Sequence, residues 1–313
     1  MTAANRPGPR IACRQCAGEA LDDLGAIPAA TVFAGQPLEP PWNGGSLYAC
    51  RRCQLTFRHP IRSADEYEHL YERASGTVWV SGALRTDQRL VRALIESTCP
   101  TAGKVLDVGC YDGSLLASLG PRIRKYGVEA SASAAEKARQ QGVEIVGTRI
   151  EALASIAEQF EVVCAVDVIE HVSDPRAFIA LLARRLSPGG TLIVSTGSTD
   201  TPAWRFAGGR YWYCSFPEHI SFISPAWARA TAVALELEVI DARRFAYGDL
   251  SARSLARQRR RFYRKVAQAR LGDSLRAWLP GAPVHSGPKQ SHGQPGLFED
   301  HVLISFRHRG VPA

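Results

Sequence analysis

From residue 84 onward the apolar positions first recur at helical spacing and then switch between two periods. Leu84, Leu90, Val91, Leu94 and Ile95 mark one face of an amphipathic helix. After it come the strand-like runs "KVLDVG", "KYGVEA", "VEIVG", "EVVCAVDVI" and "TLIVST". Between them lie "GSLLASLG", "SASAAEKARQQG", "EALASIAEQ" and "PRAFIALLARRLS", each with helical patterning. Asp174 can cap the last of these with Pro175 in its first turn, and "SPGG" stops it. Such alternation predicts right-handed βαβ units, hence an α/β doubly wound fold with a parallel sheet covered on both faces. The segment "AGEALDDLGAIPAATVFAGQPLEPPWNGGSLY" breaks this pattern. It is rich in Gly and Pro and could hardly form a core unaided.

That segment is bracketed by cysteines. Cys13 and Cys16 form one C-x2-C unit, and Cys50 and Cys53 form another. Two such knuckles offer four thiolates for tetrahedral Zn²⁺, and the metal would supply the folding energy that the segment lacks. A redox C-x-x-C would need only one pair in a thioredoxin-like setting. With sulfur in all four positions there is no open site, so the zinc is expected to be structural. Cys99, Cys110, Cys164 and Cys214 are scattered and read as small buried hydrophobes.

The 313 residues allow one large domain and a smaller companion, and 45% hydrophobic with 22% charged residues is ordinary for a globular protein. The start, "MTAANRPGPR", has no apolar core of a secretory signal, and no run approaches the ~20 apolar residues of a membrane span. The expectation is a soluble, cytoplasmic protein. The formal charge of +8 is unevenly spread: "LSARSLARQRRRFYRKVAQARLG" contains many Arg and Lys and no acid. It reads either as a solvated helical face or as a surface for phosphate groups on a substrate, a membrane or RNA.

In a doubly wound sheet, ligands bind at the carboxyl ends of the strands, where "VLDVGCYDG" sits. Gly109 permits a sharp exit and Gly113 lets the next helix begin close to the ligand. Glu129 ends the second strand, well placed to accept both hydroxyls of a ribose. A dinucleotide site would show G-x-G-x-x-G, but Tyr111 occupies the second glycine position. A pyrophosphate fits poorly over such a turn, whereas a ligand without phosphate there tolerates the side chain.

Together "VLDVGCYDG", "YGVEAS", "FEVVCAVDVIEHVSDP" and "LSPGGTLIVST" resemble the motif series of class I S-adenosylmethionine-dependent methyltransferases. The resemblance implies a Rossmann-like, mostly parallel seven-stranded sheet with S-adenosyl-L-methionine as cofactor. It places Asp107, Gly109 and Gly113 at the amino-acid end of the cofactor, Glu129 at its ribose, Glu151 at its adenine and Asp167 at its methionine moiety. The run "DVIEHVSDP" is similar to the ubiquinone-type O-methyltransferase branch, which makes Glu170 and His171 further candidates, as polar site residues or as metal ligands. The cysteine-bracketed N-terminus resembles the zinc-binding module fused to methyltransferases of deoxysugar and cell-surface glycan biosynthesis. The implied organisation is a zinc-ribbon-like module with linker over 1–75 and a methyltransferase domain over 76–313, with a basic insertion at about 248–298.

The same resemblance implies a small-molecule acceptor: a saccharide or another secondary or cell-surface metabolite, phosphorylated or nucleotide-linked, methylated on oxygen or carbon. It assigns the acceptor proton to His219 assisted by Glu218, in "YWYCSFPEHISFIS". The sugar C-methyltransferases carry a tyrosine near this pair, where Phe216 stands here. An RNA-modifying enzyme is the competing reading, since zinc modules and basic helices also serve RNA. Against it, "DVIEHV" lacks the Asp/Asn-Pro-Pro-Tyr/Phe type that grips a flipped base, so nucleic acid is not the expected partner. A non-catalytic binding module is a third reading, and intact cofactor positions argue against it.

Overall fold

The computed structural model describes residues 11–73, 84–247, 252–277 and 296–310. The N-terminal module contains β1 (Leu21–Ala26), the hairpin of β2 (Ala30–Phe33) and β3 (Gln36–Trp42), then β4 (Ser46–Cys50), β5 (Thr56–His59) and helix α1 (Ala64–Arg73). The second part begins with α2 (Thr86–Thr98), β6 (Gly103–Val108), α3 (Ser114–Ala117), β7 (Ile123–Val128), α4 (Ala132–Gln140) and β8 (Glu144–Gly147). It continues with β9 (Phe160–Val166), α5 (Pro175–Ala183), β10 (Leu186–Gly197), α6 (Pro202–Ala207), β11 (Ser221–Phe222), α7 (Pro225–Ala234) and β12 (Leu237–Phe245). Helix α8 (Ala252–Ala277) and β13 (His301–His308) follow.

Seven strands form one sheet in the order β12-β13-β10-β9-β6-β7-β8. The pairs among β10, β9, β6, β7 and β8 are parallel, and β13 runs antiparallel to both β10 and β12. Val162, Val163, Cys164 and Ala165 of β9 are all fully buried, as expected for a central parallel strand covered on both faces. Alternate residues serve opposite layers. Val105, Cys164, Ile193 and Leu303 pack with Val91 and Ile95 of α2, while Leu106, Val163, Val194 and Ile304 pack with Ile179 and Leu182 of α5 and Trp227 of α7. The scattered cysteines Cys99, Cys110, Cys164 and Cys214 are buried, as the sequence predicts.

The module is not an appendage. β11 pairs with β5, Ser221 opposite Phe57, so the sheet β1-β4-β5-β11 draws one strand from the second part of the chain. Leu55 and Phe57 share a core cluster with Leu106 and Val163 of the large sheet. The boundary expected at 75/76 lies outside the described residues.

Three local expectations are corrected. "SPGG" does not end α5, which stops at Ala183; it lies within the start of β10, where the register with β9 shifts between Leu186 and Thr191. "EALASIAEQ" contributes only a 3₁₀ segment, Ile150–Ala154. β9 ends at Val166 because Asp167 takes φ +53°, which no strand continues. Of the basic insertion, α8 and residues 296–298 are described; the rest lies outside the described residues. Phe262 and Val266 of α8 pack against the cluster of Trp204, Tyr211 and Trp212, while Arg257, Arg260, Arg261 and Arg264 are exposed. Among the described residues no helix is long and apolar enough to cross a membrane.

Candidate active site

The four module cysteines converge. Cys13 and Cys53 sulfurs lie 3.5 Å apart, as do Cys16 and Cys50, and all four lie within 4.8 Å of one another. Zn–S bonds in a tetrahedron set sulfur–sulfur distances of about 3.8 Å, so the donor set and its spacing fit a zinc ion. The close Cys53 sulfur lowers the Cys13 thiol below its ordinary range. Such a metal would tie the turn after residue 12 to the turn joining β4 and β5.

The carboxyl edge of the large sheet carries the next group of residues. The chain leaves β6 through Gly109 at φ +78°, where a Cβ would approach Val168 Cγ2 to 2.6 Å. Tyr111 follows at φ +49°, a left-handed backbone that costs a non-glycine residue on the order of 1 kcal/mol. Its N–H donates to Glu129 Oε2 at 2.9 Å, and Ser131 N–H donates to Oε1 at 2.7 Å. Glu129 is thereby held at the end of β7 with lone pairs left on both oxygens, an arrangement that fits ribose hydroxyls. Burial raises its carboxyl above the usual range. Asp107 is buried at the end of β6 beside the Cys164 thiol, 3.4 Å away, and burial pushes it up to about 7.

Asp167 ends β9 in a left-handed conformation. Its Oδ2 accepts from Arg85 at 2.8 Å and from the Tyr247 hydroxyl at 3.4 Å, while Oδ1 is buried with no hydrogen-bond partner. Burial and the Glu170 and Asp87 carboxylates push it up to about 7 against the opposing Arg85. An orphaned carboxylate oxygen at this edge fits the cationic end of S-adenosylmethionine. Arg85 also bonds the buried Asp87 at 2.7 Å, which fixes the guanidinium. Glu151 lies in the 3₁₀ turn following β8, largely exposed, with Arg149 at 3.7 Å.

A third group gathers above β9, β10 and β13. Glu170 is buried, accepting from the Tyr213 hydroxyl at 2.6 Å and from Thr196 Oγ1 at 2.9 Å. Its ligand atoms, with those of His171 and His219, lie within 4.8 Å of one another. His171 Nδ1 meets the Tyr71 hydroxyl at 2.9 Å and the Glu218 carbonyl at 3.2 Å. His219 Nδ1 donates to the Tyr213 carbonyl at 3.0 Å, which leaves Nε2 as the acceptor nitrogen. The His219 ring lies between Tyr213, centroids 4.3 Å apart, and the exposed Phe216, 4.9 Å apart. Burial, with His171 and Arg58 nearby, holds its pKa well below the ordinary histidine value. Glu218 is buried next to it in sequence, with Oε2 lacking a hydrogen-bond partner.

A buried dyad borders the same region. Asp300 accepts from Tyr211 Oη at 2.5 Å, Trp212 Nε1 at 2.9 Å and His301 Nδ1 at 2.9 Å. His301 opens β13 opposite Gly197 of β10, with the Tyr247 ring 4.4 Å away.

This edge is the one where doubly wound proteins bind ligands, and its turn suits a nucleoside without a pyrophosphate over the loop. The family described as the methyltransferase domain matches residues 83–239, just over half of the chain. The chain belongs to this family. It is an S-adenosylmethionine-dependent methyltransferase. It is 33% identical over 161 residues to a ubiquinone biosynthesis O-methyltransferase of Hahella chejuensis, covering 47% of this chain and 68% of that one. It is 29% identical over 172 residues to that of Bartonella bacilliformis, covering 50% and 68%. Among solved structures, the N-methyltransferase NodS of Bradyrhizobium japonicum in complex with S-adenosyl-l-homocysteine is 16% identical at TM-score 0.46, covering 78% of this chain and 97% of its own.

Sequence reasoning missed Arg85, Asp300 and His301, and reached Tyr213 only as one of the aromatics of "YWYCSFPEHISFIS", without its bond to Glu170. Tyr213 and His301 carry no motif of their own, and only the fold brings them beside Glu170 and His219.

Proposed function

We propose that this methyltransferase transfers the methyl group to a hydroxyl oxygen of a small acceptor. His219 takes the acceptor proton. The observation that carries this reading is the bond from His219 Nδ1 to the Tyr213 carbonyl at 3.0 Å, which fixes the tautomer with a bare Nε2. A histidine held below its ordinary pKa stays neutral around pH 7 and can accept a proton while the oxygen attacks. S-adenosylmethionine supplies the methyl group as a sulfonium. Glu129 would hold its ribose, Asp107, Gly109 and Gly113 its amino-acid end, Asp167 its methionine moiety and Glu151 its adenine.

The rings of Tyr213, Phe216 and Trp212 around His219 suit an acceptor with a flat face, a sugar or a phenol. The curated relatives named above are O-methyltransferases, which supports oxygen as the methylated atom. The exposed arginines of α8, whose buried side packs on Tyr211 and Trp212, favour a phosphorylated or nucleotide-linked acceptor. Glu218 assists through its buried carboxylate beside His171. In this reading the Glu170–His171–His219 cluster handles protons, with Glu170 held in place by the Tyr213 and Thr196 hydroxyls.

A screen of sugar nucleotides, glycan fragments, phenols and RNA with labelled S-adenosylmethionine tests the reading. Label transferred to a hydroxyl of one of the small compounds supports it. Label transferred only to RNA overturns it.

A further inference from the structure

Arg58 lies in β5 of the four-cysteine module and is 4% exposed. Its side chain points away from the cysteines into the turn that carries His219. Nε donates to the His219 carbonyl at 3.1 Å, and Nη1 to the Gly44 carbonyl at 2.8 Å. Nη2 donates to the carbonyls of Cys214 at 2.5 Å and Phe216 at 2.9 Å. The Arg58 main-chain N–H adds a bond to the Ile220 carbonyl at 3.0 Å. Among the described residues no carboxylate forms an ion pair with this guanidinium.

Burying an unpaired charge is costly, and apolar side chains of similar volume often fill such space at no loss of stability. The cost here is offset by four main-chain carbonyls, three of them in residues 214–219. A planar fork with fixed donors can hold several carbonyls at set angles, whereas an ammonium acts as a point charge. The same turn is fastened from its other side. Ile220 N–H donates to the Glu170 carbonyl at 2.8 Å, and Ser221 Oγ to the Val172 carbonyl at 2.6 Å. Arg14, between two module cysteines, donates to Ser221 Oγ at 2.8 Å and to the Ile220 carbonyl.

We propose that Arg58 is a positioning residue for methyl transfer: supplied by the cysteine module, it sets the turn of residues 214–219 and so presents the His219 imidazole to the acceptor. The module is then a wall of the active site, and its folding is a condition of catalysis. This inference rests on His219 acting in the acceptor site, and the test separates the two claims.

The test uses full-length Arg58→Lys and Arg58→Met proteins, with zinc content and thermal unfolding recorded for each. Hydrogen exchange followed by mass spectrometry reads the turn without any acceptor. Arg58→Lys should speed exchange across residues 214–221 at least tenfold, while residues 103–115 stay within twofold of wild type. Binding of S-adenosylhomocysteine should stay within twofold. Turnover is then measured with catechol or UDP-glucose, whichever the wild-type protein methylates. There kcat should fall at least tenfold while KM changes less than threefold, because the turn is misplaced and the cofactor edge is not. If Arg58→Met fails to fold, Arg58→Lys decides alone. Arg58→Lys with wild-type exchange over 214–221, or with loosened exchange and wild-type kcat, overturns the proposal. If the wild type methylates neither probe, the functional reading loses support and the exchange result decides whether Arg58 holds the turn.

Discussion

The backbone N–H of Tyr111 donates to Glu129 Oε2 at 2.9 Å. The turn that leaves β6 and the carboxylate that ends β7 are therefore one unit, in which a strained left-handed tyrosine is held by the residue proposed to hold the ribose. Removing the carboxylate should loosen both. Hydrogen bonds to a charged group contribute about 1.5–3 kcal/mol each. Glu129→Ala should weaken S-adenosylmethionine binding at least tenfold by calorimetry, and an unchanged dissociation constant would rule the assignment out.

Cofactor affinity should also depend on pH. Asp167, pushed up to about 7, is mostly protonated at pH 6 and mostly ionised at pH 8. Only the ionised form attracts a cationic ligand. The dissociation constant for S-adenosylmethionine should rise about tenfold or more from pH 8 to pH 6. Asp107 is pushed into the same range, so Asp167→Asn should reduce that dependence and the Asp107→Asn, Asp167→Asn double variant should abolish most of it. A flat profile in the wild-type protein would exclude Asp167 as the responding group.

Purified protein should hold one equivalent of zinc on Cys13, Cys16, Cys50 and Cys53. Structural zinc contributes folding free energy directly. Chelation or Cys53→Ser should lower the unfolding temperature and, through the shared β5–β11 pairing, expose residues 214–222 to proteolysis. Less than half an equivalent of metal in carefully prepared protein counts against the site.

Asp300 is buried with three donors around it, from Tyr211, Trp212 and His301. Asp300→Asn replaces a charged acceptor by an amide that cannot satisfy all three. Urea unfolding should show a loss of about 2 kcal/mol or more. A variant as stable as the wild type would mean that these three hydrogen bonds contribute little to folding.

Much of the sheet was legible because parallel strands buried on both faces read as apolar runs such as "EVVCAVDVI", and Gly109 and Gly113 mark the turn between them. The convergence of the cysteines followed from spacing alone. Other features were not legible, for physical reasons. The end of β9 at Val166 depends on the backbone of Asp167, and "SPGG" permits a strand bulge as readily as a helix stop. Arg58 sits in "LTFRHP" like any surface arginine; only the pairing of β5 with β11 brings it under the His219 turn. Asp300 immediately precedes the last strand and His301 opens it, far in sequence from the aromatic residues they contact, so no local pattern points to them.

His219 carries the central claim, and its loss is the most direct test. Removing a general base typically costs on the order of 10²–10⁴-fold in rate. His219→Ala, assayed with the acceptor found in the hydroxyl-compound screen, should lose at least a hundredfold in kcat while keeping wild-type affinity for S-adenosylmethionine and wild-type unfolding temperature within a few degrees. A folded, cofactor-binding His219→Ala protein that keeps more than about a third of wild-type turnover would contradict it, since so small a loss is far below what base removal costs.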